Sequence, residues 1–148
     1  MSFSIHTAEN AVRLLMMQGE KEPTEICRRL FNADMLHLSK YGRSILRDTY
    51  TRQGTTPIPQ RTAAALSNPD FDPKEYDGDY LSVSDVECLK ASTAEGTAQT
   101  QKAIGDTPDG CTITTETMLR AMGEDDGFID YVLEQEELER WLSGKTKL

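Results

Sequence analysis

The stretch TEICRRLFNADMLHLSKYGRSILRDTYTRQGTTPIP, residues 24–59, changes its period once, at Gly42, and that change decides the fold. Before it, Ile26, Leu30, Ala33 and His37 recur at helical spacing along one stripe, and Cys27, Phe31, Met35 and Leu38 along a second. A helix apolar on two sides has neighbours on both, so this one is expected to run through the core. Thr24 reads as its cap and Gly42 as its stop, since a glycine takes the left-handed turn that ends a helix without a Cβ penalty. From Arg43 to Thr56 the helical period is gone, and Ile45, Leu46, Tyr50 and Thr51 stand among turn and charged residues. Two short strands or an extended ribbon are expected there, leading into TPIP, where each proline holds the residue before it extended.

Outward from this segment the pattern is mostly helical. Towards the amino terminus, Thr7 reads as the cap of a helix reaching about Gln18, with Glu9 in its first turn, Gly19 past its end, and Ala8, Val12, Leu15 and Met16 as its buried stripe. Towards the carboxyl terminus, Gln60 to Leu66 reads as a short helix, and SNPDFDPKEYDGD as a surface loop rich in turn formers. Ser82 and Asp85 have capping-box spacing, which starts a helix carrying Val86 and Leu89. Residues 92–110 are polar, weakly helical and broken by glycines. Thr114 caps a short helix with Met118, Leu119 and Met122 on one face and Gly123 at its end. A last helix, about Gly127 to Leu142, sets Phe128, Ile129, Val132 and Leu133, then Leu138, Trp141 and Leu142, against an acidic face of Asp130, Glu134, Glu136, Glu137 and Glu139. The expectation is a mainly α (α+β) fold: one domain, residues 1–148, packed around a central buried helix with a small β hairpin.

Charge is uneven. Residues 1–61 hold nine Lys and Arg against six Asp and Glu, whereas residues 62–148 hold seven against nineteen, within a net −9. An acidic surface of this kind repels phosphate backbones, so direct nucleic-acid binding is not expected. It suits a basic protein partner or plain solubility. The amino terminus lacks the features of a secretory leader and no run approaches about 20 apolar residues, which points to a cytoplasmic protein without a membrane span.

Chemistry is sparse in the residue patterns. Cys27, Cys88 and Cys111 are too few and too far apart for a disulfide framework or, with His6 and His37, a zinc site. Nucleophile-elbow, phosphate-loop and EF-hand spacings do not occur. No enzyme, metal or cofactor is expected. His37, between apolar neighbours, reads as a packed histidine.

The same central segment resembles the Panacea domain, the family of SocA-like antitoxins and phage-associated proteins. In that pattern Asp34, His37, Leu38, Tyr41, Gly42 and Arg43 form the helix end and turn, and Ile45, Asp48, Tyr50, Pro57, Ile58 and Pro59 the ribbon. Leu81, Ser82 and Asp85 are similar to the family's next helix start, and TITTETMLRAMG to its closing helix. Arg47 and Thr56 stand where the pattern has glycine, and its Ser-His and tryptophan near 95–110 are missing.

The resemblance implies a protein that neutralises a toxic protein by direct binding, as a proteolytic adaptor or a plain inhibitor. The alternative is a phage-encoded inhibitor of a bacterial defence system that blocks a nuclease or immune effector. The partner is then a toxin, a protease or a defence component. Tyr41, Arg43, Arg47, Asp48, Tyr50, Arg52, Pro57 and Pro59 are the expected binding residues. Part of this set reads equally as scaffold, with Asp34 pairing with Arg43 or bonding to local amides and Tyr50 covering the helix end.

Overall fold

The computed structural model describes residues 3–146. In chain order the elements are α1 (Ile5–Met17), α2 (Pro23–Tyr41), β1 (Tyr50–Gln53), β2 (Thr56–Pro59), α3 (Gln60–Leu66), a 3-10 turn (Gly78–Tyr80), α4 (Val83–Ala91), α5 (Ala98–Gly105), β3 (Thr112–Ile113), α6 (Thr115–Ala121) and α7 (Asp126–Thr146). The architecture is mainly helical with a small antiparallel sheet, as the periodicities indicate.

Helix α2 is the axis of the core. Leu30, Phe31, Ala33, Met35, His37 and Leu38 are all buried, so both of its apolar stripes are covered. Around it one continuous cluster gathers Val12 and Leu15 of α1, Leu89 of α4, Ile104 of α5, Leu119 of α6 and Ile129 and Val132 of α7. Met16, placed in the α1 stripe by its spacing, lies half-buried at the edge of that cluster.

Two helix starts differ from the sequence reading. The cap of α1 is Ser4, whose hydroxyl accepts from the Thr7 amide at 3.4 Å; Thr7 lies inside the helix and donates its hydroxyl to the Tyr80 carbonyl. Helix α2 starts on Pro23 after Glu22, and Thr24 is exposed in its first turn. Proline at a first helical position has no amide to leave unpaired and already holds helical φ, so no side-chain cap is needed. The Ser82–Asp85 capping box and the Thr114 cap are present as read.

The hairpin is β1 paired with β2, in the register Tyr50 to Pro59 and Gln53 to Thr56. Strand β3 adds to the other side of β1, with Tyr50 opposite Ile113, giving the order β2-β1-β3. Helix α5, in the weakly helical stretch, is started by a Thr97–Thr100 capping box and ended by Arg52, whose guanidinium donates to the Ile104 and Thr107 carbonyls at 3.0 and 2.7 Å. The loop over residues 67–79 is tied to α1, where Arg13 donates to the Asp72 carbonyl and lies over the Phe71 ring.

Candidate functional site

The site is built where α2 stops. Gly42 takes φ +74° and its amide bonds to the Leu38 carbonyl at 2.9 Å, so the chain turns sharply off the helix end. The turn is then held from inside by Asp34, which is fully buried about two turns before the helix end. One carboxylate oxygen accepts from the amides of Ile45 and Leu46 at 2.6 and 3.2 Å, and the other from the Tyr50 hydroxyl at 2.6 Å. A single carboxylate thus joins helix, turn and strand. Burial pushes the Asp34 carboxyl up to about 6, against the pull of these three hydrogen bonds. Tyr50 is pushed well above its ordinary value by its own burial and by the Asp34 charge, so it stays a neutral donor.

His37 is the second internal brace. Its Nδ1 lies 2.7 Å from the Arg43 carbonyl, which only accepts, so that nitrogen carries the proton. Nε2 is then the acceptor for the Ser84 hydroxyl at 2.9 Å, which fastens the start of α4 to the corner. Burial lowers the His37 pKa, and the Arg43 charge lowers it further, while the Arg43 carbonyl and Asp85 pull the other way. Asp85 sits 3.3 Å from Nε2 and becomes an ion-pair partner only if the ring gains a second proton. Arg43 reaches the same carboxylate at 3.4 Å.

The expected binding residues divide into two groups. Tyr50 is 3% exposed, and Pro57 and Pro59 are buried, so none of the three presents a surface. Asp48 is spent on α3, accepting from the Thr62 amide and hydroxyl, both at 2.8 Å, and from the Arg61 amide at 3.1 Å. Arg52 is spent on α5, as described above. These five hold the corner together. Tyr41 and Arg43 face outward; Tyr41 is 48% exposed, with its ring against His37 and its hydroxyl 3.5 Å from Glu87. Arg47 is mostly covered, its side chain 15% exposed where it pairs with Glu139 of α7.

Arg47 also carries a backbone signature. Its φ is +55°, the one positive value among the described non-glycine residues. A left-handed turn costs roughly 1 kcal/mol for a residue with a Cβ. Thr56 lies in regular strand geometry, and the hairpin's positive φ falls on Gly54.

Between the corner and α7 runs a groove of about 500 Å³. Arg43, Arg47 and Arg61 stand on one wall and Gln135, Glu139 and Arg140 on the other. Burial raises the Glu139 carboxyl, the hydrogen bond and charge of Arg47 lower it, and the net direction is below the ordinary value. Arg61 and Arg140 were not singled out by sequence, because each is an isolated arginine until the fold places them across one opening. Among the described residues no three His, Cys, Asp or Glu side chains gather as a metal site, and no helix is long and apolar enough to cross a membrane. No family model, curated protein or solved structure matches this chain.

Proposed function

We propose that the chain acts by binding another protein through the outer side of this corner, in the manner of an antitoxin that neutralises a toxic protein by contact, directly or by handing it to a protease. The observation that carries the reading is the division of labour at the corner. The Asp34–Tyr50 and His37–Arg43 bonds lock the backbone, and Tyr41, Arg43 and the arginine-lined groove are left facing solvent on a rigid support. Binding residues on a preorganised backbone lose little entropy on association, and arginine and tyrosine are the side chains that anchor protein interfaces.

A second reading, an inhibitor of a bacterial defence nuclease or immune effector, draws on the charge of the rear of the chain. Residues 62–148 carry twelve more acidic than basic side chains, a surface that suits the basic channel of a nucleic-acid enzyme. Co-expression distinguishes the two. Rescue of cells from the product of an adjacent toxic gene, with co-purification of the pair, supports the antitoxin reading; protection of phage DNA from a host defence system supports the second. Tyr41→Ala combined with Arg43→Gln should weaken the partner complex about tenfold or more while the chain stays folded, its melting temperature lowered only by the lost Arg43–Asp85 and Tyr41–His37 contacts. Wild-type binding by that double variant would remove the corner as the interface.

A further inference from the structure

Helix α7 has a second, outward face beside the one that lines the groove, the two sharing Gln135 at their edge. Val132 is its last buried residue; nothing from Glu134 to Gly144 is buried. Four of the nine large apolar side chains exposed among the described residues nevertheless lie in this helix: Tyr131, Leu138, Trp141 and Leu142, each 47–57% exposed. Tyr131, Gln135, Leu138 and Leu142 follow one another at spacings of four, three and four, the alternation of a coiled-coil seam with one polar position. Acidic residues flank the seam. Asp130, Glu134 and Glu137 are exposed beside it, and none of the three forms a salt bridge among the described residues.

A helix segment with no buried side chain gains little from tertiary packing, and an apolar strip held open to water marks a surface that another molecule covers. The charges select the occupant. Two copies of this chain would set Glu134 of one seam against the acidic flank of the other, which opposes self-pairing. A partner helix with Lys or Arg beside its own apolar seam meets the same flank with attraction.

Resting on the protein-binding reading above, we propose that the seam Tyr131–Leu142 of α7 docks a basic amphipathic helix of the partner protein. Leu138 and Leu142 meet the apolar seam of that helix, and Glu134, with Asp130 and Glu137, meets its basic residues. This contact lies on the face of α7 next to the one that lines the groove, so a single partner can engage both.

The sole tryptophan, Trp141, sits at the edge of the seam and reports on it. The full chain is titrated with a synthetic peptide of about three heptads, with Leu along its seam and Lys or Arg on the flanks. Controls are a scrambled peptide of the same composition and a peptide with Glu on the flanks. The expected result is a saturable blue shift of Trp141 emission with the basic heptad peptide, and binding about tenfold or more weaker for both controls and for the Leu138→Gln/Leu142→Gln chain. Equal binding of the scrambled peptide would reduce the effect to net charge and overturn the proposal, as would absence of binding. Self-association of the free chain that Leu138→Gln abolishes would also overturn it, by assigning the face to a second copy. A natural partner that binds the Leu138→Gln/Leu142→Gln chain as tightly as wild type removes this seam and leaves the binding function standing. Saturable peptide binding by a chain that rescues no cells and inhibits no defence system overturns the functional reading alone.

Discussion

The corner at residues 34–62 and the outer half of α7 are both rich in charge, and they use it in opposite ways. At the corner, Asp34, Asp48 and Arg52 each make two or more hydrogen bonds to backbone or buried partners, so ionic side chains serve as internal fasteners. Along α7, Asp130, Glu134 and Glu137 face water beside exposed Leu138 and Leu142. Residue type alone does not distinguish fastener from contact surface. What distinguishes them is whether a turn, strand or helix end brings backbone donors or acceptors within reach.

The contrast breaks most visibly if Asp34 is replaced. Asp34→Ala leaves two amides and a tyrosine hydroxyl buried without an acceptor, and should cost about 3–5 kcal/mol in denaturant unfolding. Asp34→Asn, which keeps one carbonyl oxygen, should cost clearly less. A loss under about 1 kcal/mol for the alanine variant would mean that the corner is not held from inside.

The pH dependence of stability sharpens the same point. Asp34 titrates at about 6 in the fold against an ordinary 3.8, so the folded chain holds this proton more tightly and stability falls as pH rises from about 4 to about 6. That component amounts to roughly 3 kcal/mol. His37 acts with the opposite sign. Its lowered pKa means the unfolded chain is protonated first, so its contribution is present above pH 6.5 and is lost as pH falls through the depressed folded value. Asp34→Asn removes the first component only. Its stability should therefore rise with pH across 4–6 more steeply than that of wild type, by equilibrium unfolding at each pH; parallel profiles would contradict the assignment.

Smaller effects follow from single fasteners. Asp48→Ala removes the acceptor at the start of α3 and should cost about 1–2 kcal/mol. Gly42→Ala forces a Cβ into φ +74° and should cost about 1 kcal/mol, with the Val132 methyl at 4.0 Å leaving room for the added carbon. The smallest change belongs to the other region. Leu138→Gln with Leu142→Gln should shift stability by no more than about 0.5 kcal/mol, since neither side chain is buried. A large loss there would show that the seam packs within the chain.

Much of this architecture is written in local patterns. The two stripes of α2, the stop at Gly42, the Ser82–Asp85 box and the Thr114 cap each depend on neighbours within one or two turns, and each stands in the structure. Helix α5 and strand β3 were not legible. The first is finished by Arg52, some fifty residues earlier, and the second is two residues that pair only because β1 lies beside them. The cap of α1 was read at Thr7 and lies three residues earlier, at Ser4, whose hydroxyl accepts from the Thr7 amide.

For the candidate site, the direction in which the side chains of the central segment point was not legible. Tyr50, Asp48 and Arg52 look like surface chemistry in a ribbon and face inward once the hairpin folds onto α2, α3 and α5. Arg61 and Arg140 come together only across a groove between distant elements.

Native-state hydrogen exchange at the Ile45 and Leu46 amides, compared with the amides of residues 134–144, tests most directly whether a buried carboxylate makes the corner a rigid platform. Ile45 and Leu46 should exchange only through global unfolding, and Asp34→Ala, which removes their acceptor, should release them, while the outer turns of α7 exchange through local fraying many times faster. Equal protection in the two regions, or Ile45 and Leu46 amides that exchange as fast as a free loop, would contradict it.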